Sequence, residues 1–138
     1  MILCDTNILI ELYKGNADVI QVLRAIGVNN IAVSVITKAE LFYGARNKQE
    51  LAQISRHLTS CRCYLIDAAD SELFIRLMLD YSPSHKVSIP DMLIAATAIN
   101  HGLELYTMNT KDFKFIPDTR CSTFKFQPMT QKVKSGCP

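Results

Sequence analysis

The 138-residue chain lacks the features that mark several large protein classes. No apolar run approaches the roughly 18 residues that a membrane-spanning helix needs. The first residues carry no basic segment followed by a small-residue cleavage site, so no signal peptide is predicted. No segment combines low hydrophobicity with high charge, no stretch is of low complexity, and no internal repeat is visible. These absences favour a single globular domain with no membrane association.

The cysteines are odd in number and irregularly spaced, which argues against a disulfide framework. The chain has five cysteines, and Cys61-Arg62-Cys63 lacks the spacing of a zinc knuckle. A reduced, cytoplasmic compartment is therefore predicted. The net charge of +2 is too small to indicate nucleic-acid binding by itself, and it does not oppose such binding.

Apolar residues make up 49% of the chain, which is ample for one hydrophobic core. Their periodicity alternates between that of strands and that of helices, which predicts an α/β domain with a short, mainly parallel sheet. Strands are predicted at 1–5, 30–36, 63–66 and 103–108, with a last short one near 121–126, and helices at 7–14, 17–26, 37–45, 48–59, 67–79 and 91–100. The domain is expected to span 1–127, and residues 128–138 have no periodicity and are expected to form a flexible tail.

The stretch "MILCDTNILIEL" at positions 1–12 places polar residues inside an apolar run. Thr6 or Asn7 can cap the helix that follows, because a side-chain oxygen accepts from an unpaired N–H of the first turn. Neither of these roles explains Asp5. A carboxylate at the end of a buried strand must be hydrogen-bonded, paired or bound to a cation.

Three further acids fall in comparable places: Glu40, Asp91 and Asp112. Each has a structural alternative, since Glu40 can close a capping box with Thr37, Asp91 can do so with Ser88, and Asp112 can be a turn residue. The carboxyl ends of parallel strands and the starts of helices share one edge of the sheet, so all four acids should converge there. Four carboxylates on one edge repel one another, and a divalent cation relieves that repulsion.

Hard oxygen ligands dominate this predicted cluster, and none of the three histidines lies among them. Mg²⁺ or Mn²⁺ is therefore expected rather than Zn²⁺. An acidic Mg²⁺ site without a phosphate-binding glycine loop or a dinucleotide fingerprint suits phosphodiester hydrolysis. Thr6, Asn7 and Asn109 are candidates for positioning water or phosphate.

The segments "LCDTNILIELYKG", "SVITKAELFYGAR" and "IPDMLIAATAINHGLELYTMNTKDFKFIP" resemble, in order and spacing, the signature segments of the PIN-domain nucleases. They are especially similar to those of the VapC toxins of bacterial toxin–antitoxin pairs. The resemblance covers about residues 1–117. It implies a PIN-like three-layer sandwich, Mg²⁺-dependent endoribonuclease activity on RNA, a homodimer, and an antitoxin that blocks the site. It places Asp5, Glu40, Asp91 and Asp112 at the family's acidic metal positions, and Thr6 and Asn109 at those of its polar helpers.

Two other classes remain open from the sequence. One is a non-catalytic RNA-binding or interaction module on the PIN scaffold, and the other is a phospho-accepting receiver domain. The receiver would need two adjacent acids after the first strand, where this chain has one. A symmetric dimer is also expected from the apolar character of the third and fourth helices, and its face is assigned to Leu41, Phe42, Tyr43, Ile54 and Leu58.

Overall fold

The computed structural model describes residues 1–122. Strands and helices alternate along these residues as the periodicity predicts. The strands are β1 (Ile2–Cys4), β2 (Ile31–Ser34), β3 (Arg62–Tyr64) and β4 (Glu104–Tyr106). The helices are α1 (Thr6–Tyr13), α2 (Ala17–Ile26), α3 (Val35–Tyr43), α4 (Lys48–Leu58), α5 (Ala68–Tyr81) and α6 (Ile89–Asn100). No helix in this part of the chain is long and apolar enough to cross a membrane.

The four strands form one parallel sheet in the order β3-β2-β1-β4. The strands β2 and β3 are therefore added on one side of β1, and β4 is added on its other side. In open α/β sheets, this reversal beside the first strand is where binding sites form. The last strand, predicted at 121–126, is reduced to an isolated parallel bridge between Leu105 and Cys121, and 123–126 lie outside the described residues.

Both faces of the sheet are covered, which gives the three-layer sandwich. Because successive strand residues point to opposite faces, Leu3 and Ala32 pack with α5 and α6, whereas Cys4 and Val33 pack with α1, α2 and α4. The strands are buried on both sides, and this explains why their sequences read as continuous apolar runs. The predicted fold class is confirmed.

Four helix starts, those of α1, α3, α5 and α6, differ from the prediction by one or two residues, and α1 and α3 also differ in their caps. Asp5 itself is the N-cap of α1 and accepts from the Thr6 N–H, so the helix begins one residue earlier than expected. Ser34 caps α3 through the Ile36 N–H, and the proposed capping box between Thr37 and Glu40 is wrong. Glu40 therefore lies in the second turn of α3, where no cap role accounts for it.

The predicted dimer face is also wrong for three of its five residues. Leu41, Ile54 and Leu58 are buried in the core between the sheet and α4, so they leave no apolar surface for a partner. Of that set, Tyr43 alone is strongly exposed, at 94%. Among the described residues, several other large apolar side chains are exposed, and two of them share one helix, α5, where Ile75 and Leu79 are 55% and 71% exposed.

Candidate active site

The candidate site begins with Asp5 at the carboxyl end of β1. Its backbone N–H donates to the Tyr106 carbonyl at 2.9 Å, which extends the pairing of β1 with β4 by one residue. This pairing places Thr107, the residue after β4, beside Asp5. The side chain of Asp5 is almost fully buried, with 5% of the residue exposed.

Both carboxylate oxygens of Asp5 accept hydrogen bonds. Oδ1 accepts from the Thr6 N–H at 2.8 Å, and Oδ2 accepts from the Thr107 hydroxyl at 2.8 Å. The Thr107 oxygen in turn accepts from the Asn109 N–H at 3.1 Å and lies 3.5 Å from the Asn7 amide nitrogen. Because these nitrogens can only donate, the single proton of Thr107 is directed at Asp5.

Thr6 connects α1 to the acid on α3. Its hydroxyl lies 2.7 Å from Glu40 Oε1 and 3.0 Å from the hydroxyl of Thr37, which is fully buried. A hydroxyl has one proton, and the carboxylate is the stronger acceptor, so Thr6 donates to Glu40. This bond fixes the Glu40 side chain against the start of α1, one residue from Asp5.

Asp91 lies in the first turn of α6, where its N–H donates to the Ser88 side chain at 3.1 Å. Burial raises the pKa of Asp91 above its ordinary value, and the charges of Asp112 and Glu40 raise it further, against the lowering effect of Ser88. Burial likewise raises the pKa of Asp5, with added repulsion from Asp91 and Glu40, although the bonds from Thr107 and Thr6 oppose the shift. Each acid thus lies close enough to another to repel it, as expected for four carboxylates gathered at one edge.

The two asparagines are positioned differently from each other. Asn7 accepts from the Met108 N–H at 3.2 Å, so its amide ties α1 to the loop after β4. Asn109 is exposed and opens the short 3₁₀ turn Thr110–Asp112, which carries the last of the four acids. The positioning roles expected for Thr6, Asn7 and Asn109 remain predictions.

Sequence reasoning missed Thr107 and gave Thr37 the wrong role. The sequence places Thr107 near the end of a predicted strand and gives it no role in the site. The strand register would have indicated one: Cys4 pairs with Tyr106, so the next residues, Asp5 and Thr107, must be neighbours. Thr37 was assigned to a cap because it has the right spacing before Glu40. Its burial and its contact with Thr6 instead place it beneath the site.

The donor set fits a hard divalent cation. The groups brought together are carboxylates, hydroxyls and an amide, and none of the three histidines lies among them, since His57 is on α4, His85 lies in the loop before α6 and His101 follows α6. Burial is the main cause of the raised pKa values of Asp5 and Asp91, and the neighbouring acids add to it, while no ion pair with a cationic side chain reaches these two acids within residues 1–122. A cation would balance their negative charge.

A second group of possible ligands lies at the far end of α6 from Asp91. Ligand atoms of Asp67, Asp70 and His101 all lie within 4.8 Å of one another. Asp67 and Asp70 form a reciprocal capping box at the start of α5, and Asn100 donates to Asp70 at 2.8 Å. Three of their four carboxylate oxygens already accept from N–H groups, and His101 Nε2 lies 3.6 Å from the fourth, so this group serves to join α5 to α6.

A groove of about 760 Å³ opens beside Glu40 and runs between α1, α3 and α4. Apolar side chains, including Ile10, Tyr13 and Ile54, line its floor and walls. Charged side chains at its margins form ion pairs within the chain: Arg46 with Glu50 at 2.9 Å and Lys14 with Glu11 at 3.6 Å. The groove therefore offers an apolar bed that leads to a candidate site acid.

Comparison with known proteins matches this arrangement. The family model of the PIN domain matches residues 2–117, which include all four acids. The chain belongs to the PIN domain family. This membership removes the receiver-domain alternative.

Among individual relatives of this PIN domain, Ribonuclease VapC19 of Mycobacterium tuberculosis is 34% identical over 122 residues, covering 86% of this chain and 96% of that protein. A toxin–antitoxin complex from Klebsiella pneumoniae contains a chain with a TM-score of 0.75 and 35% identity, covering 86% of this chain and 95% of that one. The structure of VapBC2 from Rickettsia felis, bound to a DNA fragment from their promoter, contains a chain with a TM-score of 0.79 and 28% identity. The match covers 88% of this chain and 98% of that one.

Proposed function

We propose that this PIN domain is a Mg²⁺-dependent endoribonuclease, the toxin of a VapBC-type pair, and that it hydrolyses RNA phosphodiester bonds at Asp5, Glu40, Asp91 and Asp112. The observation that carries the proposal is the mutual repulsion of these acids, which contributes to raising the pKa of Asp5 and Asp91. The likeness to Ribonuclease VapC19 supports the reaction class. Mn²⁺ has the same ligand preferences and is expected to substitute.

The four carboxylates would hold the cation, whose contribution in such a site is to activate water and to stabilise charge on the phosphate oxygens. The chain's own residues keep the acids in place. Thr107 and the Thr6 N–H hold both oxygens of Asp5, while the Thr6 hydroxyl orients Glu40. Because these bonds start from the helix and strand ends, the acids are arranged before any ligand arrives.

An antitoxin is the protein partner that we propose for the groove beside Glu40. The chain in the Klebsiella pneumoniae toxin–antitoxin complex is 35% identical to this one, which supports a partner of that class. An amphipathic segment can lay its apolar face on Ile10 and Tyr13, which are partly exposed in the groove. A basic side chain at its end would reach the acids and neutralise them, which would block the site.

A homodimer remains part of the proposal, with α5 in place of the face first expected. Ile75 and Leu79 are four residues apart and share one exposed side of α5, and Arg76 and Asp80 flank them with opposite charges. In an antiparallel pairing about a two-fold axis, Ile75 meets the partner's Leu79 and Arg76 lies near the partner's Asp80. One helix can therefore be complementary to its own copy.

Purified protein incubated with total cellular RNA tests the activity, with the new RNA ends mapped by sequencing. In Mg²⁺ we expect discrete ends, and in EDTA none. RNA that is bound but remains intact under both conditions would instead identify a non-catalytic PIN module. The mapped ends would also identify the RNA class that is cleaved.

A further inference from the structure

Tyr43 is the most exposed large apolar side chain among the described residues, at 94%. It is the last residue of α3 and stands three positions after Glu40. Residues three apart lie on the same face of a helix, so the ring projects on the side that carries the acid. Within the described residues, no hydrogen bond or ring contact holds it in place.

Exposed apolar side chains also flank two other site segments. Ile89 is 59% exposed two residues before Asp91, and Met108 is 39% exposed one residue before Asn109. Three segments that supply the site thus each carry an apolar side chain facing solvent. Of the three side chains, that of Tyr43 alone is aromatic and can present a flat π face to a nucleobase.

The acids of the site oppose RNA binding. The four carboxylates repel the phosphate backbone, and the groove cations Lys14 and Arg46 form exposed ion pairs with Glu11 and Glu50. Lys38 on α3 and Lys111 in the turn of Asp112 form no ion pair among the described residues, so phosphate contacts remain open to them. A contact with a base would add binding free energy that the repulsion between acids and phosphates does not reduce.

We propose that Tyr43 is a stacking platform for an unpaired RNA base next to the phosphate that is cleaved. It would hold the strand over Glu40 and make cleavage depend on the base that stacks. This role rests on the proposed ribonuclease function and adds a residue that determines how substrate is bound. A single-stranded or looped substrate follows from it, because a base in a duplex cannot reach the ring.

The test compares Tyr43→Ala, Tyr43→Phe and the control Leu65→Ala, which removes another exposed apolar side chain, one that is 69% exposed. Kinetics are measured on a labelled single-stranded RNA that contains a mapped cleavage site. Tyr43→Ala should raise KM about tenfold with kcat nearly unchanged, the scale of one lost base–aromatic stack. Tyr43→Phe should retain the wild-type KM, since it keeps the ring, and Leu65→Ala should match the wild type.

Binding is measured separately by fluorescence anisotropy on the same RNA, with each Tyr43 variant placed in an Asp91→Asn background so that the strand survives. A comparable loss of affinity in Tyr43→Ala supports stacking even if the wild type proves inactive, which separates this inference from the proposed function. An unchanged KM and affinity would overturn it. A loss that Tyr43→Phe does not rescue, or a loss confined to self-association or antitoxin binding, would overturn it as well.

Discussion

The hydroxyl of Thr107 donates to Oδ2 of Asp5 across 2.8 Å, joining residues that are 102 positions apart in the chain. Asp5 follows β1 and Thr107 follows β4, so the pairing of these two strands brings the two side chains within hydrogen-bond distance. The same oxygen accepts from the N–H of Asn109, at the start of the turn that carries Asp112. Thr107 therefore links two of the four acids.

Thr107→Val should reduce RNA cleavage by about 10- to 100-fold, the range found when a partner of a metal ligand is lost. It should also lower stability by about 1–3 kcal/mol, because the buried Asp5 oxygen and the Asn109 N–H lose their partner. Thr107→Ser should restore most of both. Cleavage rates and urea unfolding measure these effects.

The matched control is Thr97→Val, which removes another fully buried threonine hydroxyl, one that donates to the Leu93 carbonyl within α6. It should leave cleavage unchanged. If the two valine variants lose activity equally, general loosening of the core would explain the effect, and the specific link to Asp5 would be refuted.

Asp5→Asn separates the two roles that the structure gives to Asp5, helix cap and site acid. Cleavage should fall by orders of magnitude, because the cation is lost or misplaced. Stability without Mg²⁺ should stay level or rise by ~1 kcal/mol, because relief of the desolvation and repulsion of the Asp5 charge offsets the weaker bonds to Thr6 and Thr107. The stabilisation that the wild type gains from Mg²⁺ should shrink.

Asp67→Asn provides the matched control, because Asp67 is also an N-cap, at the start of α5. Asparagine is an equally good cap, so this variant should melt within about 1 kcal/mol of the wild type and keep its activity. Melting curves with and without Mg²⁺ compare the two. An active but destabilised Asp5→Asn protein would show that Asp5 is only a cap.

The raised pKa of Asp91 makes metal-free stability depend on pH. Burial comes first among its causes, so folded protein holds the proton more tightly than unfolded protein does. The stability that this provides is complete below the unfolded pKa of about 3.9 and is lost as pH rises through the higher folded value. Asp91→Asn should therefore gain stability relative to the wild type as pH rises towards neutrality. Urea unfolding in EDTA across this range measures the difference, and a difference that stays constant with pH would contradict the shift.

The proposed dimer contact through Ile75 and Leu79 of α5 predicts how the dimer can be disrupted. Leu79→Arg places charge in the proposed apolar contact and should shift a dimer towards monomer in sedimentation at micromolar concentration. Leu65→Arg puts the same charge on another exposed leucine and should leave the dimer intact. A wild-type monomer, or a dimer that survives Leu79→Arg, would exclude this face.

Most of the fold could be predicted from local pattern, because each strand and helix carries its own periodicity. The convergence of Asp5, Glu40, Asp91 and Asp112 also followed, since strand ends and helix starts of a parallel sheet share an edge. The helix caps were harder to predict from the sequence. Ser34 and Thr37 are both good cap residues, and the choice depends on where β2 ends, which pairing with β3 decides.

Side-chain partners and exposure could not be read from the sequence. The link between Thr107 and Asp5 needs β4 to lie beside β1. The two residues are 102 positions apart in the chain, so no local pattern indicates that they meet. The apolar residues of α4 indicated surface for a partner, yet Ile54 and Leu58 are buried because α4 packs on the sheet side that also holds α1. The number of apolar residues on a helix does not reveal which of its sides the core already covers.

Glu40→Gln gives the most direct test of the four-acid site. Glu40 is exposed and caps no helix, and glutamine can still accept from Thr6, so the change removes one charge with little structural effect. The measurement is the rate of cleavage of a single-stranded RNA as Mg²⁺ is titrated, for the wild type, Glu40→Gln and the control Glu50→Gln from the same groove. We expect cleavage by the wild type and Glu50→Gln to require Mg²⁺, and that of Glu40→Gln to fall by orders of magnitude or to need far more Mg²⁺. Equal rates for Glu40→Gln and the wild type, or full cleavage in EDTA, would contradict a metal site built from these acids.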